Sequence, residues 1–436
     1  MKFKKLTSIL AATTMTLGLV ACSGDSTGGT EKNNNTSTEN NKITIWAWDE
    51  SFNIAAANEA KEMYLKDNPD VEIEVVNMSQ DDIVAKLNTS LSSGSYEGLP
   101  DIVLIEDYKI QGYLTAYEEE FADLSSIANE SDFASYKTAV SYVDGKLYGI
   151  PFDSGVAGTF YRVDLIEEAG YTKEDMENLT WEKYIEIGKA VKENTGVDMC
   201  SLDPSDLSQV RMMLQSAGAW YTDKDGNVSI ADNQALKDAI KIYVDLMESG
   251  AVKQHTNWDQ FVGAFNNGEV ASVVTGCWIA PSIKKADEQS GKWAVAQFPK
   301  LGSNNASVNA SSLGGAGWYV LKNVKNTDMA LDFLAKTFAS NVDLMNNLAE
   351  SITLVSTLNK ASEAPNYSKA DEFFGGQEVF TDFAKWTSEI PLVNYGLHTY
   401  AIEDIMTEAV QAVLGGEDID STLETFQSQI ESAVAQ

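Results

Sequence analysis

Ile102-Val103-Leu104-Ile105 is an unbroken apolar run directly after Pro100-Asp101. A strand with no polar face must be covered on both sides, which is the state of a central strand in a parallel, helix-covered sheet. The residues before it repeat that theme. Ile43–Trp46 reads as a strand. Phe52, Ala56, Ala60 and Met63 then mark one face of a helix that ends at Asn68-Pro69. Val71, Ile73 and Val75 alternate with acids as a half-buried strand. Ile83, Leu87 and Leu91 recur every fourth residue behind Asp81-Asp82, read as a helix with an acidic cap. Strand–helix–strand–helix–strand predicts an α/β fold.

The theme returns downstream. Leu147–Phe152, Val270–Thr275, Ala294–Phe298 and Trp318–Leu321 read as strands. Helices are expected after Thr180, around Leu236–Met247, around Phe261–Phe265, and from Tyr400 to the end. Trp46, Trp181 and Trp293 read as core. A chain of 436 residues exceeds one simple core, so two α/β lobes are expected.

Composition narrows the function. The formal charge is −34, which repels phosphate backbones and argues against a nucleic-acid partner. Only His255 and His398 are present, and only Cys22, Cys200 and Cys277. That excludes a His-rich metal site and leaves too few thiols for a zinc cage, so no metal is expected. Cys200 and Cys277 are expected as unpaired buried thiols. Asp223-Lys224-Asp225-Gly226-Asn227 has Gln234 where a calcium loop needs an acid, so it reads as a hairpin turn.

The N-terminus carries an address. Lys2, Lys4 and Lys5 precede a short apolar run from Leu6 to Val20, fitting an export signal rather than a membrane span. Leu19-Val20-Ala21-Cys22 resembles the bacterial lipobox. The resemblance implies cleavage after residue 21, a lipid on the Cys22 thiol, and residence on the extracellular face of the cytoplasmic membrane. Residues 22–40 lack large apolar residues after Cys22 and form the expected tether.

In open α/β sheets ligands bind beyond the carboxyl ends of strands. Four such ends pair aromatics with acids or precede an indole: Trp48-Asp49, Glu106-Asp107, Phe152-Asp153 and Gly276-Cys277-Trp278. Sugars offer C–H patches that stack on flat rings and hydroxyls that donate to carboxylates. The pattern therefore points to a neutral, hydroxyl-rich ligand. Glu106 and Asp107 equally suit a helix cap, Asp153 equally suits a hinge beside Ser154-Gly155, and Trp258 suits core or cleft. The Asp49, Asp107 and Asp153 set also fits a glycoside hydrolase, which needs two carboxylates about 5–9.5 Å apart. A glycan-binding adhesin is the third reading.

Several segments together resemble the extracellular solute-binding proteins of carbohydrate ABC importers, the maltose-binding-like group. They are Ile43–Trp46, Pro100–Val103, Gly145–Pro151, Ala264–Ala271 leading to Trp278, and Gly314–Val320. Trp46–Asp49, Leu104–Tyr108, Pro151–Gly155 and Met213–Gly218 are most similar to its lactose- and arabino-oligosaccharide-binding branch. The resemblance implies a periplasmic-binding-protein fold of two discontinuous lobes. These would span 41–152 plus about 300–358, and 153–299 plus about 359–436, joined by hinge crossovers around a cleft. It implies a monomeric receptor, with no cofactor and no catalysis, that delivers an oligosaccharide to permease subunits. It assigns Trp48-Asp49 and Asp107 to the sugar and Trp278 to stacking. It adds Trp318, Tyr319, Tyr395, Tyr400 and Arg211 as cleft residues. The maltose-type pattern has a Trp near Thr399 that this chain lacks, which argues against a maltodextrin.

Overall fold

The computed structural model describes residues 41–435, so the export signal, Cys22 and the tether lie outside the described residues. Among the described residues twelve strands run in chain order. They are β1 Lys42–Ala47, β2 Glu72–Asn77, β3 Ile102–Glu106, β4 Tyr142–Val143, β5 Lys146–Leu147 and β6 Gly149–Pro151. Then come β7 Ala157–Arg162, β8 Cys200–Leu202, β9 Val252–Gln254, β10 Ser272–Gly276, β11 Trp293–Gln297 and β12 Ala316–Val320.

The first lobe is built on a five-stranded sheet, ordered β2-β1-β3-β12-β6. β1 pairs in parallel with β2 and β3, as the alternating elements require. β12 alone is antiparallel, between β3 and β6. Its direction has a simple cause: the chain returns from the second lobe and enters the sheet at the end where β3 and β6 finish. Ile102, Val103 and Leu104 are fully buried, as expected for a strand covered on both faces.

The second lobe repeats the arrangement. β7 enters from the first lobe and runs antiparallel between β10 and β11. β8 pairs in parallel with β9. Ala271 N–H donates to Asp198 O (2.8 Å) and Ser272 N–H to Met199 O (2.7 Å), which join the β8–β9 pair to β10. Trp181 and Trp293 are fully buried here, and Trp46 is buried in the first lobe. Cys200 and Cys277 are buried free thiols.

Local details refine the sequence reading. The helix Gln80–Ser93 is capped by Ser79, whose hydroxyl accepts from Asp82 N–H (3.2 Å). Asp81 and Asp82 lie instead in the first turn, where the helix dipole favours acids. The run Leu147–Phe152 is not one strand. Asp144 and Gly145 both take positive φ, closing a tight hairpin between β4 and β5 before β6 begins. The tail is two helices, Thr399–Leu414 and Ile419–Val434, because Gly415-Gly416 ends the first and Asp418 caps the second. Asp223–Asn227 is the expected turn, with Asp223 N–H donating to Asn227 O (2.8 Å). No described helix is long and apolar enough to cross a membrane.

Three crossovers link the lobes and bond to one another. Ser154 N–H donates to Val355 O (3.0 Å), Leu313 N–H to Gly155 O (2.8 Å), and Ala157 N–H to Ser311 O (2.9 Å). Gly155 has φ +57°, and a Cβ there would lie 2.7 Å from Leu313 O. Glycine is what lets these two crossovers touch.

Candidate ligand cleft

The cleft forms where strand ends of both lobes face one another. Trp48-Asp49 follows the last residue of β1, Ala47. Asp49 takes φ +58°, a left-handed conformation that Asp tolerates because its side chain bonds locally. Its Oδ1 accepts from Ser51 N–H (3.0 Å), and its carbonyl accepts from Ile54 N–H (3.1 Å). That tight turn starts the next helix and holds Trp48 and Asp49 at the cleft wall. β3 ends at Glu106, and Asp153 lies two residues beyond the end of β6. From the other lobe, β10 ends at Gly276. A Cβ on Gly276 would lie 2.2 Å from Trp278 Nε1, so the missing side chain is the space the indole folds into. Trp278 Nε1–H then donates to Leu313 O in a crossover (2.9 Å).

The resulting space has a volume of about 600 Å³. Three indoles line it, from Trp48, Trp258 and Trp278, together with the carboxylates of Asp49, Glu106 and Asp153. Trp258 begins a helix capped by Asn257, whose side chain accepts from Gln260 N–H (3.0 Å). It is 53% exposed, an unusual state for the largest apolar side chain. Its ring lies 6.0 Å from that of Trp278, tilted by 34°. Among the described residues lining the cleft, Lys285 is the one cation.

The acids differ in what they can still do. Glu106 Oε2 accepts from Gln80 Nε2–H (3.1 Å) and Lys109 Nζ–H (2.9 Å), and Oε1 accepts from Tyr400 O–H (2.7 Å). Tyr400 belongs to the second lobe, so Glu106 is a link between lobes as well as a cleft residue. Tyr400→Phe removes that link. Hydrogen bonds to charged groups contribute roughly 1.5–3 kcal/mol, so the variant is expected to open more readily. Small-angle scattering of the ligand-free protein checks this: a larger radius of gyration is expected, and an unchanged one refutes it. Asp153 is buried, and Oδ1 accepts from Ala316 N–H (2.9 Å). Burial raises its carboxyl above the usual range, with the Lys137 ammonium opposing. Asp153 thus serves both as cleft wall and as a tie at the crossover.

Six residues assigned from the resemblance lie elsewhere. Asp107 is buried one layer below, paired with Lys137 beneath Gly315. A Cβ on Gly315 would lie 2.8 Å from Asp107 Oδ2, so this glycine lets the cleft floor rest on the pair. Arg211 is buried against Glu403, away from the cleft. Trp318 and Tyr319 belong to the first-lobe core. Trp318 stacks on Phe338 (5.0 Å) and Tyr319 meets Phe121 edge-on (6.1 Å), because β12 is a central strand with both faces covered. Tyr395 packs against both Tyr108 and Trp220, which stack on each other. Tyr400 reaches the site only through Glu106. Trp220 Nε1–H donates to Thr399 Oγ1 (3.0 Å), so an indole does reach Thr399 from a distant part of the chain.

Asn53, Gln80, Ser282 and the backbone at Gly314–Ala316 also line the cleft and escaped the sequence reading. Asn53 and Gln80 were findable by the same rule, since each begins the helix after a strand of the parallel sheet. Ser282 and the glycines carried no such signal.

Two α/β lobes that meet around an indole- and carboxylate-lined cleft define a two-lobed binding protein. The chain belongs to the bacterial extracellular solute-binding protein family, whose model matches residues 59–375. It is 40% identical over 388 residues to the lactose-binding protein of Rhizobium radiobacter, covering 89% of this chain and 92% of that one. It is 27% identical over 335 residues to the arabinooligosaccharide-binding protein of Bacillus subtilis (strain 168), covering 74% and 73%. Among solved structures it is similar to the galacto-N-biose-/lacto-N-biose I-binding protein of the ABC transporter from Bifidobacterium longum in complex with lacto-N-biose. That match has a TM-score of 0.72 at 23% identity and covers 90% of this chain and 97% of the other, a likeness of fold.

Proposed function

We propose that this protein captures a neutral oligosaccharide in the cleft and presents it to the transmembrane subunits of an ABC importer. The observation that carries the reading is the Trp258–Trp278 indole pair facing Asp49, Glu106 and Asp153 across one space. Flat rings cover the C–H faces of a sugar, and the carboxylates and amides take its hydroxyls. A ligand touching both lobes stabilises their closed arrangement, because only that arrangement offers all the contacts. The lactose-binding relative makes a β-galactoside the first ligand to test. Glu106 already holds three donors and Asp153 is tied to backbone, which favours a receptor over a glycoside hydrolase.

In this reading the lobes divide at residues 152–153, about 299–300 and about 358–359. The protein works as a monomer, held on the outer face of the cytoplasmic membrane by lipid on Cys22.

Calorimetry with lactose and a panel of neutral oligosaccharides tests the proposal. Binding without turnover is expected. Trp278→Ala should weaken the best ligand by about 1–3 kcal/mol, the scale of a buried aromatic contact. Unchanged affinity in a folded variant removes Trp278 from the site. Sustained hydrolysis, or no binding across the panel, overturns the reading.

A further inference from the structure

Asn53 opens the first helix, Asn53–Asp67, at the wall of the cleft. It is only 6% exposed, yet its carboxamide makes no hydrogen bond to any described residue. Buried polar groups are overwhelmingly paired, so a free amide there calls for an explanation. Oδ1 and Nδ2 are not among the unpaired polar atoms that solvent cannot reach, so the carboxamide opens into the cleft that Asn53 lines.

The helix start gives up local stability. Phe52 stands at the N-cap, where Ser, Thr, Asp or Asn would bond the first turn, and it offers no acceptor. Its ring packs instead on Phe152 (5.8 Å). That contact brings the residues that follow, Asn53 and Asp153, from distant parts of the chain to the same wall of the cleft. Asp153 is 7% exposed. Its Oδ1 accepts from Ala316 N–H (2.9 Å), while Oδ2 accepts from no other described residue.

Asn53 can donate through Nδ2 and accept through Oδ1, and the Asp153 carboxylate can only accept. Two neighbouring hydroxyls on one sugar ring match this set, one donating to Asp153 and the other accepting from Asn53. An anionic group would meet the Asp153 carboxylate, and an apolar group would leave the amide unpaired. Side chains that show so little surface admit an oxygen but no larger substituent.

We propose that Asn53 is a specificity-determining residue: with Asp153 it selects a sugar unit that carries two free adjacent hydroxyls. The same unit is rejected when either hydroxyl is missing or substituted. The proposal rests on the sugar-binding reading and adds to it which group of the ligand is read.

Asn53→Leu keeps the size of the side chain and removes its polar atoms. An amide without a protein partner adds nothing to the ligand-free fold, so the variant should melt at or above the wild-type temperature. A clear fall shows the amide holding the fold and overturns the assignment. Calorimetry finds the best-bound of lactose, galactobiose, arabinobiose and cellobiose, then compares wild type and variant on it and on its monodeoxy derivatives. The variant should bind the parent sugar about 10-fold more weakly. On one derivative it should match wild type within about two-fold, because the hydroxyl that Asn53 reads is already gone. Asp153→Asn keeps Oδ1 for Ala316 and turns the other acceptor into a donor. It should show the same pattern on the derivative that lacks an adjacent hydroxyl.

A wild type that binds none of the four sugars overturns the sugar reading and this assignment with it. A wild type that binds while Asn53→Leu matches it on the parent sugar overturns the assignment alone, as does an equal loss on every derivative. Should Asn53→Leu fail to fold, Asn53→Ala is judged by the same comparison.

Discussion

Lys137→Met is expected to destabilise the protein by about 3–5 kcal/mol, the scale for breaking a buried ion pair from one side. Lys137 and Asp107 are both almost fully buried, and Lys137 Nζ–H also donates to Ala316 O (3.2 Å). Burial pushes the Asp107 carboxyl up to about 7, while the Lys137 ammonium pulls it down. Without the ammonium the carboxyl rises further. A folded pKa above the unfolded value gives stability that is full below about pH 4 and is lost as pH rises through the folded pKa. In wild type the loss from Asp107 levels off just above pH 7. In Lys137→Met it should continue above that pH at up to about 1.4 kcal/mol per unit. Urea unfolding between pH 5 and 8.5 measures both quantities. Lys137→Met/Asp107→Leu should recover most of the stability, since no charge is left buried alone. Parallel pH profiles for wild type and the single variant would refute the account.

Arg211→Met is the second large effect, again about 3–5 kcal/mol. It strands Glu403, which accepts from Tyr221 O–H (2.9 Å) and whose carboxyl burial already raises against the pull of Arg211. The Arg211 guanidinium also lies 4.9 Å from the Tyr108 ring centre and 5.7 Å from that of Tyr400. Tyr108 belongs to the first lobe, so the cation packs where the lobes meet behind the cleft. The resemblance assigned Arg211 to the ligand; its burial against Glu403 separates the two roles by experiment. Urea unfolding should show the full loss, while calorimetry on the folded variant at low temperature should show a smaller change in sugar affinity than Trp278→Ala. Arg211→Met/Glu403→Leu should regain stability. A large affinity loss with unchanged stability would return Arg211 to the site.

The elements were legible because their signals are local. An apolar run of four with no polar partner has one common solution, and Ile102–Ile105 took it. Capping at Thr180 and the Asp223–Asn227 turn involve residues within a few positions of each other. In the tail apolar periodicity continues across Gly415-Gly416, and only the backbone break reveals that the expected helical stretch is two helices. The strand-end rule picks out Trp48, Asp49, Glu106, Asp153 and Trp278, which line one space, and also Asp107, which is buried below it, since the rule needs only the end of a strand and the residue type that follows.

The amino-acid sequence by itself determined which segments become strands and helices and which strand ends carry rings and acids, because period and neighbouring residues decide those within a few residues. Only the tertiary structure decided which rings face the cleft. Trp318 and Tyr319 sit in a strand just as Trp46 does, and their burial depends on rings brought to β12 from elsewhere in the chain, Phe152 and Phe338 over Trp318 and Phe121 beside Tyr319. Asp107 and Arg211 went inward because Lys137 and Glu403 await them there, and a counter-ion 30 or 192 residues away leaves no mark on local pattern. Desolvating a charge is tolerable only beside its partner, so the meeting of distant residues, not their type, settled which charges line the site.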